Sequence, residues 1–356
     1  MSSQPRHILV VIPTLNEAST IEAVLQDLSV DPPNEAAIEF VVVDGGSTDG
    51  TCDIVRRLSR EHPGLHLLHN PKRLQGAGVN LAVETFGEPA DVLIRCDAHG
   101  RYPSGFIRRL LETQMRTGAE SVVVPMDSVG TSCFQRAVAW VSNIPVGTGG
   151  ALHRGEYRSG FVDHGHHAAF RMAAFRKVGG YDESFTHNED AEFDWRLSAS
   201  GGRIFLDARN RFAHFPRSDV AGLWRQYFNY GRGRSRTARR HPASIRIRQM
   251  MLPAHFALCG ACLLFAPWLP VLLLWPALYA GVLVATSVGL SVRHASFCGF
   301  LAGLAALIMH FAWAIGFLYG IAVDHERRWA GHTMIEGVPA PERLAAPFAH
   351  DPAQAE

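Results

Sequence analysis

The stretch Val41–Thr51, with the sequence VVVDGGSTDGT, joins a short apolar run to a glycine-rich turn that begins with an acid. The three valines favour a β-strand that is buried on both faces. Asp44 ends this run, where a carboxylate is costly unless a polar group meets it. Glycines let a ligand approach the backbone closely, and the start of a following helix favours anions. The stretch therefore predicts a ligand-binding turn between a buried strand and a helix.

The same strand-and-helix unit repeats on both sides of this stretch. Short β-rich runs, most of them mainly apolar, predict strands at His7–Ile12, Ile38–Val43, Leu65–Leu68, Val92–Arg95 and Ser121–Val124. Helix-like spacing lies between them at Ala18–Leu28, Asp49–Arg60, Gly78–Phe86 and Ser104–Thr117. This alternation predicts an α/β fold with a right-handed, doubly wound sheet. Ligands of such sheets bind at the carboxyl ends of the strands.

Two further predicted strands also end in polar residues. The first is followed by Pro13–Glu17, with the sequence PTLNE, and the fourth by Asp97-Ala98-His99. The spacing of Asp97 and His99 lets both side chains reach one divalent ion. A carboxylate with an imidazole suits Mn²⁺ as well as Mg²⁺, because imidazole is the softer ligand. We therefore expect a metal site at this edge of the sheet.

These motifs resemble the nucleotide-sugar motifs of glycosyltransferase family 2, whose fold is known as GT-A. The resemblance covers roughly residues 7–240 and rests on Pro13–Glu17, Val41–Thr51 and Asp97–His99 in the family's order. Within the family, RCDAH at 95–99, NEDAEFDWRL at 188–197 and YGRGR at 230–234 resemble enzymes of succinoglycan-type exopolysaccharide synthesis. His99 departs from the pattern, because much of the family has an aspartate there, and this leaves the identity of the metal open.

The resemblance implies a donor site for a UDP-sugar. Pro13, Thr14 and Glu17 would hold the nucleoside, and Asp44 would meet the uracil ring or the ribose. Asp97 would contact the ribose or the metal, and His99 would complete the diphosphate–metal site. Two residues of the stretch NPKRLQGAGVN, Arg73 and Gln75, would line the same pocket, with a solvated basic loop as the alternative.

The resemblance also implies an acceptor side. Glu189 and Asp190 would lie there, with Asp190 as the general base that takes a proton from an acceptor hydroxyl. The alternative is that both acids only interact with the dipole of the helix that follows. His164, together with His166 and His167, is interpreted as an acceptor-pocket or structural residue rather than a metal ligand.

The segment around residues 226–234 corresponds to the QxxRW motif of processive synthases. Gln226 is present, but Asn229 and Tyr230 replace the arginine and the tryptophan, which argues against processive polymerisation. Arg232 and Arg234 could bind the donor diphosphate or the phosphates of a lipid-linked acceptor, since arginine offers bidentate contacts to anions. The alternative is a basic patch on anionic lipid.

Charge and hydropathy divide the chain into two parts. The net charge of +1 argues against a nucleic-acid partner. Residues 217–248 contain nine arginines and one acid, and Met251–Leu290 then has no charged residue. That run is long enough for a helical hairpin turning near Pro267–Pro270, and Ala295–Val323 supplies a third span. By the positive-inside rule, the arginines predict a cytoplasmic catalytic domain. The expected location is therefore the cell inner membrane, with more than one pass.

A membrane region of three spans conflicts with the positive-inside rule at the C-terminal tail. They would place the tail outside, whereas Arg327 and Arg328 favour the inside. A re-entrant or interfacial segment would remove the conflict, and the sequence leaves the number of spans open. The predicted organisation is a catalytic domain at 1–216, a basic interfacial hinge at 217–250, a membrane region of about three spans at 251–323 and a loosely ordered tail at 324–356. Cys52, Cys96 and Cys133 are expected to be reduced cytosolic thiols.

The sequence thus predicts an inverting enzyme that transfers a hexose, with glucose as the expected sugar, from a UDP-sugar. The acceptor would be a hydroxyl of a membrane-associated, lipid-linked saccharide in exopolysaccharide synthesis. One alternative is a polyprenyl-phosphate sugar synthase, whose phosphate acceptor needs no strong base. Another is a non-catalytic membrane scaffold that retains the sugar-nucleotide fold.

Overall fold

A mixed eight-stranded sheet forms the centre of the N-terminal region in the computed structural model, which describes residues 5–33, 36–149 and 158–325. In chain order the strands are β1 (His7–Thr14), β2 (Ala37–Asp44), β3 (Leu65–His69), β4 (Val92–Arg95), β5 (Gly100–Arg101), β6 (Ser121–Val124), β7 (Met126–Ser128), β8 (Gly160–Val162), β9 (His166–Arg171), β10 (Ile204–Leu206) and β11 (Phe212–His214). The large sheet has the order β3-β2-β1-β4-β9-β6-β10-β8, and β5-β11-β7 form a small second sheet.

The strand β9 separates this sheet from a purely parallel one. β1 pairs in parallel with β2 and β4, whereas β9 runs antiparallel between β4 and β6. The sequence predicts no strand at this position. β9 begins with two histidines and contains only three apolar residues, so it lacks the continuous apolar run of the other central strands. The predicted α/β fold of the GT-A type is confirmed, with a mixed sheet.

Helices cover both faces of the large sheet. They are α1 (Ile21–Ser29), α2 (Thr51–Glu61), α3 (Gln75–Phe86), α4 (Phe106–Thr117), α5 (Cys133–Ser142), α6 (Pro145–Thr148), α7 (Met172–Lys177) and α8 (Glu189–Ala199). Successive residues of β1 point to opposite faces, so Ile8 and Val10 pack with α1 and α4, while Leu9 and Val11 pack with α3 and α8. The sheet is buried on both faces, which explains its apolar strands.

Four long helices form the described part of the C-terminal region, up to His325. They are α9 (Val220–Arg240), α10 (Ile247–Phe265), α11 (Leu274–Arg293) and α12 (Ala302–Val323), and 3-10 turns lie at Pro242–Ser244, Pro270–Leu273 and Phe297–Leu301. Most of the predicted hinge, 217–250, is therefore the single helix α9. The predicted tail lies outside the described residues beyond His325.

Among the described residues, three helical segments are long and apolar enough to cross a membrane: Ile247–Phe265, Pro270–Arg293 and Phe297–Val323. They differ in their burial within the protein. In its most apolar window, the first segment is 17% buried, the second 11% and the third 56%. The α10–α11 hairpin therefore presents an apolar surface to its surroundings, whereas α12 is largely covered by other helices.

A disulfide joins Cys133, the first residue of α5, to Cys298 in the 3-10 turn before α12, with an S–S distance of 2.05 Å. The expectation that Cys133 is a free thiol is therefore wrong in this structure. The two cysteines are 165 positions apart, and they meet because the C-terminal helices fold back onto α5. Cys52 and Cys96 are free thiols, as expected.

Candidate active site

Asp44 lies at the carboxyl end of β2, level with Thr14 at the end of β1. Its carboxylate accepts hydrogen bonds from the N–H groups of Gly46 (2.8 Å) and Ser47 (3.0 Å). Burial alone would raise the pKa of Asp44, but hydrogen bonds from Ser47 and Gly46 outweigh it and hold the pKa below its usual value. Asp44 therefore stays ionised at neutral pH and organises the glycine turn that follows it.

The loop after β1 is joined to the loop after β2 by three hydrogen bonds. The Asn16 N–H donates to the Ser47 hydroxyl (2.8 Å), and the Asn16 side-chain oxygen accepts from the Thr48 N–H (2.8 Å). The Glu17 N–H donates to the Thr51 hydroxyl (2.9 Å). These bonds hold Pro13–Glu17, the stretch predicted to bind the nucleoside, against the Asp44 turn.

Asp97 and His99 follow β4 and lie beside the same loops. The buried Asp97 donates its N–H to the Tyr102 hydroxyl (2.7 Å), and His99 Nδ1 lies 3.1 Å from Glu17 Oε1. Burial alone would lower the pKa of His99, but the hydrogen bond to Glu17 and the charge of Asp97 raise it. The structure thus brings Glu17 and His99, 82 positions apart, to one edge of the sheet.

Asp97 and His99 are compatible with a divalent ion, although they do not form a complete protein site. Within residues 5–33, 36–149 and 158–325, no group of three His, Cys, Asp or Glu side chains is arranged to hold a metal. Asp97 offers a carboxylate, and the contact of His99 Nδ1 with Glu17 orients the ring and leaves Nε2 for a ligand role. A bound diphosphate and water would supply the other ligands, which is the usual way that Mg²⁺ is held at phosphates.

Arg73 and Gln75 occupy different places at this edge. The Arg73 guanidinium reaches the Asp44 turn, since a Cβ atom on Gly46 would lie 3.3 Å from Arg73 Nη2. Gln75, in the first turn of α3, accepts a hydrogen bond from Arg95 through its side-chain oxygen (2.8 Å). Arg73 therefore lies at the predicted donor site, whereas Gln75 contacts the residue that links this site to α8.

Arg95 is a site residue that the sequence prediction missed. It ends the buried strand β4 and is only 6% exposed. Its guanidinium donates to Gln75, to the Tyr181 hydroxyl (3.3 Å) and to Glu189 Oε1 (3.3 Å). Burial opposes its charge, but Tyr181, Glu189 and Asp97 raise the pKa of Arg95 and keep it ionised. An arginine at the end of an otherwise apolar strand was the signal available in the sequence.

The helix α8 presents Glu189 and Asp190 in its first turn. The preceding Asn188 has a positive φ of 66° and donates its side-chain amide to the Thr237 hydroxyl of α9 (2.7 Å). Glu189 is buried against Arg95, whereas Asp190 is half-buried and accepts a hydrogen bond from the Ala191 N–H (2.8 Å). The two acids therefore have separate surroundings, with Glu189 engaged in the link to β4.

Asp190 lies among charged groups on the predicted acceptor side. Its charge acts on His164 and on Arg234. His164 Nδ1 lies 2.7 Å from Oδ2 of the fully buried Asp194, which orients the ring. Burial alone would lower the pKa of His164, but the hydrogen bond to Asp194 and the charges of Asp194 and Asp190 raise it. Burial and the nearby Arg248 lower the pKa of Arg234 to about 10.

The other predicted acceptor residues lie elsewhere on α9. Arg232 forms two contacts of 2.6 Å with the carboxylate of Asp324, just after α12. Gln226 donates its side-chain amide to the Tyr230 hydroxyl (2.9 Å), and Tyr230 packs against the cluster that contains α12. Arg234 interacts electrostatically with Asp190, whereas Arg232, on a different side of the helix, pairs with Asp324.

This arrangement, with polar strand-end loops and an acidic helix on a mixed α/β sheet, is that of a GT-A glycosyltransferase fold. The sequence model of the family Glycosyl transferase family 2 matches residues 9–179. The chain belongs to this family and is a glycosyltransferase. It is 44% identical, over 325 residues, to the succinoglycan biosynthesis protein ExoA of Rhizobium meliloti (strain 1021). The aligned region covers 90% of this chain and 97% of the relative.

Two further likenesses cover different parts of the molecule. The undecaprenyl-phosphate mannosyltransferase of Micrococcus luteus is 33% identical over 107 residues, which is 30% of this chain and 43% of that protein. The solved structure of the mannosyltransferase PcManGT from Pyrobaculum calidifontis, in complex with GDP-Man and Mn²⁺, has a TM-score of 0.57 at 18% identity. It covers 91% of this chain and 89% of that one, and at this identity the likeness shows the shared fold alone.

Proposed function

We propose that the protein transfers glucose from UDP-glucose, with inversion, to a hydroxyl of a lipid-linked saccharide at the cytoplasmic face of the inner membrane. The product would be an intermediate of a succinoglycan-type exopolysaccharide. The relative with 44% identity over nearly its whole length is a succinoglycan biosynthesis protein, which supports this class of product. The choice of a UDP-sugar donor and of inversion rests on the resemblance of the strand-end motifs to those of the family.

The observation that carries the proposal is the position of Arg95 between the two predicted halves of the site. Its guanidinium contacts Gln75, which opens the helix after the Arg73 loop, and Glu189, which precedes Asp190. One buried side chain thus fixes α8 relative to the end of β4. A sugar bound at Asp44 and Asp97 would then face an acceptor bound at Asp190.

Asp190 would act as the general base in a single displacement. The acceptor oxygen attacks the anomeric carbon, the bond from that carbon to the diphosphate breaks, and the hydroxyl proton passes to the Asp190 carboxylate. UDP leaves with the bonding electrons. The new glycosidic bond forms on the opposite face of the sugar, so an α-configured donor gives a β-linked product.

A divalent ion, Mn²⁺ or Mg²⁺, would be held by Asp97, by His99 and by the donor's diphosphate. When bound, it supplies positive charge that stabilises the departing UDP. The solved mannosyltransferase of the same fold contains Mn²⁺ with its nucleotide sugar, which supports a metal here.

We expect EDTA to abolish transfer and His99→Ala to weaken metal dependence more than acceptor affinity. His99→Asp should shift the preference from Mn²⁺ towards Mg²⁺, and full activity in EDTA would remove the metal from the proposal.

The lipid-linked nature of the acceptor rests on the cationic groups beside Asp190. Arg234 donates to the Ser244 carbonyl (2.9 Å) just before α10, and its Nε is buried without a hydrogen-bond partner among the described residues. Arg246 and Arg248, at the start of α10, interact with Arg234 electrostatically. Arginines and the N-terminus of a helix both favour phosphate. This position, where the chain passes from α9 to an apolar helix, suits the phosphates of a lipid-linked saccharide.

The test is a donor screen with the purified full-length protein in detergent. UDP release is followed for UDP-glucose and other nucleotide sugars, with and without a lipid-linked saccharide, in Mn²⁺, Mg²⁺ or EDTA. We expect release from UDP-glucose only when both the acceptor and a divalent ion are present. If calorimetry detects no binding of any nucleotide sugar, the proposal is wrong, and NMR that shows an α-linked product excludes the single displacement.

The same cationic groups favour a second candidate, transfer to a polyprenyl phosphate. His164, Arg234 and Arg248 could hold the acceptor phosphate itself, and a local likeness to an undecaprenyl-phosphate mannosyltransferase points in the same direction. A phosphate acceptor needs no strong base. Asp190→Asn separates the candidates, because transfer to a hydroxyl should be lost and transfer to a polyprenyl phosphate should be retained.

A further inference from the structure

The helix α9 must lie outside the hydrocarbon core of a membrane. It contains six arginines and no acid, and charged side chains are costly in a bilayer. An ion pair and a hydrogen bond also attach it to the catalytic domain. Arg240 forms an ion pair with Asp182 (2.7 Å), and Arg236 donates a hydrogen bond to the Ser184 hydroxyl (2.8 Å). The position of α9 therefore marks the side of the catalytic domain.

The second half of α12 runs alongside α9 at backbone contact distance. A Cβ atom on Gly316 would lie 2.0 Å from the Phe228 carbonyl oxygen, and one on Gly320 would lie 2.1 Å from the Ser235 hydroxyl. The residue numbers in these two pairs increase along both helices, from Phe228 to Ser235 and from Gly316 to Gly320. The two helices are therefore parallel. At the end of α12, Asp324 pairs with Arg232 at 2.6 Å and accepts a hydrogen bond from Arg239 through its carbonyl oxygen. The C-terminal end of α12 therefore lies beside α9.

The start of α12 is also held on the side of the catalytic domain. Cys298, four residues before α12, is joined to Cys133 of α5. The helix α5 is itself bonded to the domain, because the Gln135 amide donates to the Pro216 carbonyl (2.7 Å). Independently of the disulfide, Trp140 of α5 stacks on His294 at the end of α11, with ring centroids 4.1 Å apart.

A transmembrane helix cannot have both ends on one side of the bilayer. The 22 residues of α12 make it roughly 33 Å long at 1.5 Å per residue, which would suffice for a span. Its two ends are nevertheless fixed to elements of the catalytic side. We infer that α12 lies in the plane of the membrane surface as an interfacial helix, and that the chain leaves it at Asp324 on the side of the catalytic domain.

The partner of this helix is the lipid surface. Several apolar or aromatic side chains on α12 remain exposed, among them Leu304 (46%), Leu318 (38%) and Ile321 (49%). The helices α10 and α11, which contact α12, also expose many apolar side chains, so lipid is the occupant that this face fits. Of the described residues, the α10–α11 hairpin then remains to enter the hydrocarbon. The arrangement also agrees with the positive-inside rule, since Arg327 and Arg328 lie four and five positions after the end of α12 in the sequence.

Reporter fusions to the full-length chain test the inference. Green fluorescent protein or alkaline phosphatase is attached after Glu356, and whole cells are assayed. An interfacial α12 should give a fluorescent fusion and an inactive phosphatase, because the C-terminus stays in the cytoplasm with the catalytic domain. A membrane-spanning α12 gives the opposite pattern, and an active phosphatase with a dark fluorescent fusion would overturn the inference.

Labelling of single cysteines then tests each end of α12 separately. Ala295→Cys precedes the helix and His325→Cys follows it, in a variant whose six native cysteines are replaced by serine and which retains transferase activity. A membrane-impermeant thiol reagent should label both positions in inverted vesicles and neither in intact spheroplasts. Labelling of either position in spheroplasts contradicts the inference. If the serine variant is inactive, the fusions, which keep every native cysteine, decide the question.

Discussion

The candidate site has a predicted donor half, formed by the loops after β1, β2 and β4, and a predicted acceptor half around Asp190. The two halves are built in different ways. In the donor half, Asp44 is held by backbone N–H groups two and three positions further along the chain. In the acceptor half, Asn188 is bonded to Thr237, and His164 is oriented by Asp194, 30 positions away. Local hydrogen bonds thus shape one half, and contacts between distant segments shape the other.

This difference indicates which half depends on the rest of the molecule. A strand-end turn keeps its form as long as its own strand is in place. The surroundings of Asp190 require α9 and the start of α10 to be packed against the catalytic domain. We therefore expect substitutions in the donor half to change ligand affinity, and substitutions that separate the halves to change the fold and turnover together.

The largest effect is expected at Arg95, which connects the two halves. Arg95→Met removes its bonds to Gln75 and Tyr181 and its ion pair with Glu189. Removal of one partner of a buried ion pair costs about 3–5 kcal/mol. At roughly 2–4 °C per kcal/mol for a domain of 150–250 residues, the unfolding midpoint in detergent should fall by about 10 °C. Arg95→Lys keeps the charge and should lose less, while an unchanged midpoint for Arg95→Met would show that the halves are held together by other contacts.

Asp190→Asn should have the next largest effect, and only on turnover. It keeps the size of the side chain and removes the proton acceptor, so we expect kcat to fall about 10²-fold or more while donor affinity changes little. The control is the adjacent Glu189→Gln, which should lower kcat less. Donor binding is measured by titration with UDP-glucose. If Asp190→Asn abolishes that binding instead, the residue belongs to the donor half.

Asp44→Asn should weaken the donor half alone. Hydrogen bonds to a charged group contribute about 1.5–3 kcal/mol, and the variant turns the carboxylate into a neutral amide. We expect the Kd for the nucleotide sugar to rise about tenfold or more, with an unchanged kcat at saturating donor. Calorimetric titration of UDP measures the effect without an acceptor. A lower kcat with unaltered UDP binding would contradict the assignment of Asp44 to the donor.

The smallest effect should separate two arginines of one motif. Arg234→Gln removes the guanidinium beside Asp190 and should raise the KM for a lipid-linked acceptor by about tenfold, in the range of one hydrogen bond to a charged group. Arg232→Gln changes a half-exposed pair with Asp324, and such pairs contribute at most about 1 kcal/mol. It should alter acceptor KM little. Equal effects of the two variants would mean that the motif acts only as a basic patch.

The sequence located the strand ends that form the predicted donor half because that information is local. Apolar runs located β1, β2 and β4, and the polar residues after each run meet at one edge of the sheet. The contact of Glu17 with His99 follows from that topology, although its geometry does not. Asp190 could be singled out only by resemblance, since an acid in the first turn of a helix is common.

The missed features depend on contacts between distant segments. Nothing near Cys133 indicates Cys298, and nothing in YGRGR shows that its two arginines point to different partners. The strand β9 was missed because its two histidines interrupt the apolar pattern. The apolar composition of α12 fits a membrane span equally well, and its contacts with α9 become visible only in three dimensions.

The packing of helix α9 also has a consequence for the length of acceptor that the enzyme could use. It touches α8 through Thr237 and Asn188 on one side and α12 through Gly231 and Trp313 on the other. In the proposed placement at a membrane surface, packed helices rather than a flexible linker would fix the height of Asp190 above the lipid headgroups. The proposed lipid-linked acceptor would have to bring its terminal hydroxyl to that height, so the number of sugars already attached would decide which intermediate is extended. Lipid-linked saccharides of one to four sugars, compared as acceptors, should show a single preferred length.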